Sequence, residues 1–334
     1  MGIKGLNQLL QRFCGTAHLS YVPIVNFAGK KVAVDATHYM YVFKVRANFK
    51  LAIVEFLTLL RENSIHPFFV FDGVAPPEKQ QERAHRAEKR AQQRERIKNL
   101  ELDLEVYKQT NEMSTLLQSV SFRPRKLSAV KVHPQVIQEY IDKLKLSLIN
   151  ITDEDLELMK SLLDAFGIAH VTADGEGEFL CAALGRHGLV NAVMTADTDV
   201  LPCLAPTVIN KIKDGYFQVV SLDAILSELD FTPSQFIDLC ILCGTDFNQN
   251  IHRIAAIGAH SLISTHKSID NIPHEGVAIL NHKRVRQLFS YTDSVPAVSV
   301  SYCNRVNYQK LGLMGIDADS VKQRLTKRII KPGV

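Results

Sequence analysis

Three short apolar runs lack a helical period and predict buried strands. They are Lys31–Asp35, Phe68–Asp72 and Ala192–Asp197. The stretches between them have apolar residues at helical spacing, as in Leu51–Arg61. Strands that alternate with helices predict an α/β fold, with a mostly parallel central sheet and helices on both of its faces.

One stretch of the chain breaks this pattern. A well-capped helix is predicted at Asp153–Phe166, whereas Glu78–Asn99 is charged all round and cannot bury a face in the core. We therefore predict that residues 74–150 form a helical insertion that stands off the sheet, with a flexible segment over Lys108–Val130.

The composition is that of an ordinary globular chain. Its 334 residues are 46% hydrophobic and 22% charged, with a mean hydropathy of -0.01. Neither a secretory run nor an apolar stretch of about 18 residues is present, which argues against export and a membrane span. Six scattered cysteines form no zinc pattern, and the pair Cys240 and Cys243 is predicted to be buried in an apolar helix.

The net charge of +4 is unevenly distributed. Residues 78–101 hold eight Lys or Arg against five Glu, residues 122–145 hold six against two acids, and residues 320–334 hold five and no acid. Such runs are either solvated helix faces or a basic surface for polyphosphate. Their position relative to the acidic residues has to decide between the two.

Acidic residues follow the predicted strands. Asp35, Asp72 and Asp197 each end one strand. Because ligands bind beyond the carboxyl ends of parallel strands, these carboxylates should share one small volume. Four more acidic residues are expected at the same edge, namely Glu176, Glu178, Asp199 and Asp246.

Several carboxylates at one edge repel one another unless cations compensate them. Ligation by oxygen alone, without His or Cys, suits Mg²⁺ or Mn²⁺. Two such ions about 4 Å apart can clamp a phosphodiester, one activating water and the other stabilising the leaving oxygen. Any single aspartate could be a helix cap or a turn residue, but the set predicts a two-metal centre.

Six motifs follow one another in the order of a known family. They are Met1–Leu6, Val34–Ala36, Val70–Gly73, Glu176–Leu184, Thr195–Asp199 and Asp238–Asp246. On these motifs the chain resembles the flap endonuclease and xeroderma-pigmentosum-G superfamily of 5′ nucleases, over roughly residues 1–290. The length of the chain and its C-terminal tail resemble those of a family member from a large DNA virus.

The resemblance implies a PIN-like fold and a Mg²⁺-dependent, structure-specific 5′ nuclease, with Mn²⁺ as a substitute. Such an enzyme cuts DNA at junctions of single and double strands during replication, repair or recombination, leaves a 5′-phosphate, and can also act as a 5′→3′ exonuclease. The implied ligands are Asp35, Asp72, Glu176 and Glu178 chiefly for one ion, and Asp197, Asp199 and Asp246 chiefly for the other.

Other residues gain implied roles. Lys79 and Arg86 would reach the scissile phosphate from the base of the insertion, and their seven-residue spacing, about two helical turns, supports a shared face. They could equally be two solvated cations of a charged helix. Tyr41 matches a tyrosine that stacks on a base near the cut, although a core tyrosine would also fit. Gly2 would lie near the active site once Met1 is removed.

The resemblance also divides the chain. A 5′ nuclease domain would span residues 1–290, followed by a C-terminal extension with a basic tail over residues 291–334. Single-stranded 5′ ends would pass through a helical arch, and the basic excess around Arg123–Lys145 would attract them, so that binding weakens with salt. The parts of the nuclease domain are an N-terminal region (1–73), the arch insertion (74–150), an internal region (151–250) and a helix-hairpin-helix-like element (236–270).

Two features depart from the family. Where its hairpin has two glycines this chain has Arg253 and Ala255, which puts a monovalent-cation site there in doubt. Arg253 could contact the duplex through its side chain instead, and Lys267 lies in a following segment that still resembles the family. Residues 290–334 lack the sliding-clamp motif, so clamp binding is not expected.

Three rival functions remain. A double-strand 5′→3′ exonuclease or a junction-cutting relative would use the same metal centre. A phosphatase of the haloacid dehalogenase type is suggested by Asp197–Asp199, but its motif belongs after the first strand. A non-catalytic DNA-binding scaffold would not need all the carboxylates. We expect a monomer that binds DNA with flaps, nicks, gaps or 5′ ends, without membrane contact, in the nucleus or another intracellular compartment of DNA replication.

Overall fold

The computed structural model describes residues 2–120, 133–290 and 297–327. The chain divides into two compact units, of which the larger comprises residues 1–79 and 152–334 and the smaller residues 80–151. No helix within the described ranges is long and apolar enough to cross a membrane. The basic residues from Arg123 to Lys131 and the tail beyond Lys327 lie outside the described residues.

A seven-stranded sheet organises the larger unit. Its strands are β1 (Leu19–Pro23), β2 (Lys31–Asp35), β3 (His66–Phe71), β4 (His170–Thr172), β5 (Ala192–Met194), β6 (Thr207–Lys213) and β7 (Tyr216–Ser221). In space they stand in the order β1-β7-β6-β5-β2-β3-β4. The pairs from β4 across to β6 are parallel, and β7 is antiparallel to both of its neighbours. The predicted α/β fold with a mostly parallel sheet is confirmed.

Helices connect and cover the strands. Those within the described ranges are α1 (Leu6–Phe13), α2 (Ala36–Lys44), α3 (Phe49–Glu62), α4 (Gln80–Thr110), α5 (Thr115–Ser119), α6 (Pro134–Leu146), α7 (Asp153–Ala165), α8 (Gly177–Arg186), α9 (Leu222–Leu229), α10 (Pro233–Cys243), α11 (Ala256–His266), α12 (His282–Phe289), α13 (Tyr308–Leu313) and α14 (Ala318–Lys327). The helix α7 begins where its sequence predicts, because Thr152 and Asp155 form the capping box. Cys240 and Cys243 are buried in α10, as predicted.

The strands β6 and β7 are joined by a tight turn that the sequence analysis missed. Asp214 and Gly215 have φ values of 51° and 81°. A two-residue loop with positive φ at both positions matches the right-handed twist of a hairpin, and Asp-Gly is a favoured pair for it. The signal was therefore present in the sequence.

The smaller unit has a core of its own. The amino-terminal half of α4 has no buried residue up to Arg96, as its charge pattern predicts, but its later turns pack against α5 and α6. Within the segment predicted to be flexible, residues 108–120 contain the end of α4 and the helix α5, and residues 121–130 lie outside the described residues. The buried members of this core are Ile97, Leu100, Leu104, Tyr107, Leu117, Val120, Ile137 and Ile141.

Residues 300–303 lie against the amino ends of the central strands β2 and β3. Lys31, at the start of β2, donates to the carbonyl of Val300 at 2.7 Å. Cys303 donates its backbone N–H to Nδ1 of His66 at 3.3 Å, at the start of β3. This part of the C-terminal extension therefore packs at the amino ends of the strands, opposite to the strand-end aspartates.

Candidate metal centre

Two strand-end aspartates are held by hydrogen bonds from neighbouring elements. Asp35 is the last residue of β2 and caps α2, where it accepts the backbone N–H of His38 and the hydroxyl of Thr195, both at 2.9 Å. Asp72 follows β3 and accepts the backbone N–H of Gly177 at 2.7 Å. Both carboxylates therefore stand at the carboxyl ends of adjacent parallel strands.

Three further carboxylates converge next to them. Oxygen atoms of Glu178, Asp197 and Asp199 lie within 4.8 Å of one another. Asp197 caps a short 3₁₀ turn and accepts the backbone N–H of Asp199 at 3.2 Å. Glu178 stands in the first turn of α8 and is 7% exposed, so its charge is shielded from water.

A lysine enters the same centre from the 3₁₀ turn Pro77–Lys79. Nζ of Lys79 lies 2.5 Å from Oε2 of Glu176 and 4.0 Å from Oδ2 of Asp246. The two acids come from the N-cap of α8 and from the loop after α10, so Lys79 joins segments that are far apart in sequence.

The electrostatics show that these acids destabilise one another's ionised forms. Burial raises the pKa of Asp35 to about 7, and the charges of Asp72 and Asp197 add to this effect. Burial, together with Asp199 and Asp197, raises the pKa of Glu178 well above its usual value.

Lys79 provides part of the missing positive charge. Burial alone would lower the pKa of Lys79, but Glu178 and Glu176 outweigh it and raise that pKa. Burial raises the pKa of Glu176, and the charges of Asp72 and Asp246 raise it further. The ammonium of Lys79 opposes this effect but does not cancel it.

The donor set fits a divalent cation. The buried Oε1 of Glu178 has no hydrogen-bond partner among the residues that the structure describes. A buried carboxylate oxygen without a partner is costly, and a cation that binds oxygen would satisfy it. The cluster of Glu178, Asp197 and Asp199 could therefore hold a metal. The resemblance implies that Glu178 binds chiefly one ion and that Asp197 and Asp199 bind chiefly the other, whereas the structure places the three side chains in one cluster. The assignment of ligands to two separate ions therefore stays a prediction.

Gly2 closes one side of this centre. Its φ is +104°, and a Cβ added to it would lie 2.4 Å from Oδ1 of Asp197 and 2.3 Å from Oγ1 of Thr198. The next residue, Ile3, donates its N–H to Oγ1 of Thr198 at 2.8 Å. A side chain at position 2 would therefore displace the acidic loop, which explains why glycine is required there.

Other predicted site residues lie in different places. Tyr41 is half-buried on α2, the helix that Asp35 caps. Arg86 belongs to the smaller unit, where it pairs with Glu82 on α4 at 2.9 Å. Lys79 and Arg86 do not belong to one helix, as their spacing predicted, because Lys79 ends a 3₁₀ turn and α4 begins only after it.

Arg253 and Lys267 flank α11 rather than the acidic centre. Both side chains are exposed, and both residues adopt the left-handed conformation, with φ of 63° and 65°. The chain thus keeps, at Arg253, a backbone shape that glycine adopts without strain. Lys267 is the C-cap of α11.

Sequence reasoning missed two threonines of the centre. Thr195 donates to Asp35, and Thr198 accepts from Ile3. Both stand in the motif Thr195–Asp199, in which only the acids received a role. The signal was their place beside the acids, because buried carboxylates need hydrogen-bond donors.

Comparisons with known proteins agree with this geometry. Family models match residues 1–93 as the XPG N-terminal domain and residues 167–246 as the XPG I-region. The chain is 33% identical to the putative RAD2-like endonuclease 095R of Frog virus 3, over 88% of this chain and 84% of that protein. It is 29% identical to flap endonuclease 1 of Mus musculus, over 90% and 77% of the two chains. The catalytic core of Rad2, solved in complex with a DNA substrate, has the same fold, with a TM-score of 0.65 and 16% identity over 99% of this chain and 100% of that one.

Proposed function

The chain belongs to the XPG and RAD2-like family of structure-specific 5′ nucleases, and on that premise we propose that it cuts DNA at junctions of single and double strands with the help of two Mg²⁺ ions. The observation that carries the proposal is the convergence of Glu178, Asp197 and Asp199, with ligand atoms within 4.8 Å. We propose that all seven acids are ligands and that Lys79 and Arg86 act on the scissile phosphate.

The chain's own residues divide the work. Divalent cations in such a centre activate water and neutralise charge on a phosphodiester. Asp35 and Asp72, fixed by Thr195 and Gly177, supply oxygen ligands in a defined orientation. Lys79 would donate a hydrogen bond to the phosphoryl oxygen as negative charge develops there, which is electrostatic stabilisation by a preorganised group.

The test is cleavage of a labelled 5′-flap DNA by the full chain. We expect cutting in Mg²⁺ and none in EDTA, with a 5′-phosphate on the product. Asp197→Asn should abolish cutting and retain DNA binding, because it removes a ligand and not a surface cation. Failure to cut flaps, gaps or nicked duplex in Mg²⁺ and in Mn²⁺ would leave a non-catalytic DNA-binding protein.

Lys79→Met tests the role of the lysine. Cleavage should fall by roughly 10²-fold to 10³-fold, the range for loss of one preorganised electrostatic group. The matched control is Lys213→Met, at an exposed position at the end of β6. A rate for Lys79→Met equal to that of the control would assign the lysine to structure alone.

The preferred DNA structure follows from mapping the cut positions on flap, gap, nick, bubble and blunt duplex DNA. Cutting near the flap junction supports the proposal. Progressive release from a blunt 5′ end would favour the double-strand exonuclease.

We further propose that the protein acts as a monomer, without a sliding clamp and inside the cell. Sedimentation of the purified chain with DNA tests its oligomeric state.

A further inference from the structure

A cavity of about 420 Å³ opens beside the metal centre, within the larger unit. Asp197 and Thr198 form part of its lining, so the cavity and the acidic cluster share a wall. The remaining walls come from α1 and the strands β1, β6 and β7. Its volume lies within the range of about 300–1,000 Å³ that small-molecule sites occupy.

Two residues of the lining each have a buried polar atom without a hydrogen-bond partner among the residues that the structure describes. These atoms are Nδ1 of His18 and Oδ1 of Asn210. The side chain of His18 belongs to a residue that is only 7% exposed. Buried polar atoms nearly always have a partner in folded proteins, so unpartnered atoms on two residues that line one cavity favour an occupant that forms hydrogen bonds with these side chains.

The chemistry of the lining selects the class of occupant. Asn7, Gln11 and Asn210 offer amides, which both donate and accept hydrogen bonds. Burial lowers the pKa of His18, so its imidazole is neutral and offers one donor and one acceptor. Asp197 and Lys211 place one charge of each sign in the lining, so the lining has no net charge that selects an ion. Leu10 and Val220 supply apolar surface for a flat ring.

We propose that this cavity, which we call the His18 pocket, receives an unpaired nucleobase of the DNA strand next to the phosphate that is cut. The proposal rests on the proposed function, because a phosphodiester at Asp197 places its flanking nucleotides within reach of the shared wall. A nucleobase is uncharged and flat and carries donors and acceptors on one edge. It therefore matches the amides, the neutral imidazole and the apolar wall together.

The experiment measures how much one base contributes to binding. Flap DNA is titrated against the full chain in Ca²⁺, under conditions shown to leave the DNA uncut. It is compared with DNA that has an abasic site on either side of the mapped cut. For the wild-type protein we expect base removal at one of these positions to weaken binding about tenfold, or about 1.4 kcal/mol.

Matched variants on α1 connect that loss to the pocket. Gln11 lines the cavity and is exposed, so Gln11→Trp should block the opening without disturbing the core. Gln8 is exposed on the same helix and does not line the cavity, which makes Gln8→Trp the control. The tenfold preference for the intact base should disappear in Gln11→Trp and persist in Gln8→Trp. The double variant with His18→Ala and Asn210→Ala should lose it as well.

Two results would overturn the proposal. Equal loss on base removal in the wild type, Gln11→Trp and Gln8→Trp would place the base elsewhere. No loss in the wild type would mean that the pocket holds ordered water alone. In both cases normal flap cleavage in Mg²⁺ leaves the proposed function intact, whereas absence of all cleavage removes the proposed function and this inference together.

Discussion

The larger unit contains two groups of carboxylates that differ in how their negative charge is balanced. Around Arg286 each acid faces a cation. The guanidinium binds both oxygens of Asp238 and one oxygen of Asp270 at 2.7 Å, and His282 contacts Asp270 at 2.8 Å. In the metal centre, by contrast, the carboxylates face one another, and Lys79 is the cation that contacts two of them.

The consequence is visible in their proton affinities. Hydrogen bonds from His282 and Arg286 lower the pKa of Asp270. Burial and the neighbouring Asp199 raise the pKa of Glu178. The network around Arg286 (Asp238, Asp270, His282 and Arg286) pairs each of its acids with a hydrogen-bonding partner and needs no bound ion. The metal centre is stable as a set of ionised groups only when further positive charge is bound, which separates a functional cluster from a structural one.

The largest expected difference between the two groups is catalytic. Glu178→Gln should reduce flap cleavage by roughly 10³-fold, measured as single-turnover rates in Mg²⁺, because an electrostatic group of the centre is lost. In EDTA the same variant should be at least as stable as the wild type, since it removes a repelling charge.

Loss of stability in EDTA together with loss of cleavage would contradict this view of Glu178. Asp153→Asn provides the control, because Asp153 is an exposed acid in the first turn of α7. It should leave the cleavage rate unchanged.

The second prediction concerns the network around Arg286. Arg286→Met leaves the buried Asp238 without its counter-charge, and we expect the free energy of unfolding to fall by about 3 kcal/mol. The cleavage rate per folded molecule should stay within about twofold, in contrast to Glu178→Gln. Urea unfolding and single-turnover cleavage of the same preparation measure both quantities. A destabilisation no larger than that of an exposed substitution would remove the contrast.

The third prediction uses pH on the metal-free protein. Asp35 has a folded pKa of about 7, above its unfolded value, so the folded state binds more protons between that value and about pH 4. In EDTA the free energy of unfolding should therefore increase by on the order of 1 kcal/mol as pH falls from about 7 to 6. Asp270 has a lowered pKa, so its contribution is lost only as pH falls below about 4.

Urea titrations at several pH values, with and without Mg²⁺, check these signs. Bound Mg²⁺ should weaken or reverse the trend between pH 6 and pH 7, because it stabilises the ionised acids. Asp35→Asn should reduce the trend in EDTA. Stability that increases with pH over this interval in EDTA would contradict the electrostatic account of the centre.

The position of the strand-end acids could be predicted from the sequence, but their hydrogen-bond partners could not. The strand ends at Asp35 and Asp72 follow from short apolar runs, and the shared edge follows from the parallel order of β2 and β3. Such local patterns, combined with one topological rule, place the acids together. The precise partners do not follow, since Lys79 contacts Glu176 across 97 positions of the chain.

Other features depend on long-range packing and have no local signal. The His18 pocket is built from three separate regions of the chain, and nothing near His18 in the sequence indicates a cavity. The docking of residues 300–303 against β2 and β3 uses hydrogen bonds that join the side chains of Lys31 and His66 to backbone groups far along the chain, and no local pattern predicts such pairs. The hairpin of β6 and β7 is a different case, because its Asp-Gly signal was available and was missed.

The smallest expected effect concerns Arg253. Two substitutions there separate the effect of its left-handed backbone conformation from that of its guanidinium group. A non-glycine residue in the left-handed region loses roughly 1 kcal/mol, so Arg253→Gly should raise the free energy of unfolding by up to about that amount. Arg253→Ala keeps the strain and removes the charge, and it should leave stability nearly unchanged. If Arg253 contacts duplex phosphate, both variants should weaken DNA binding equally and lower the salt dependence by about one charge. Weaker binding for alanine than for glycine would show instead that the backbone conformation, and not the guanidinium, sets the approach of the DNA.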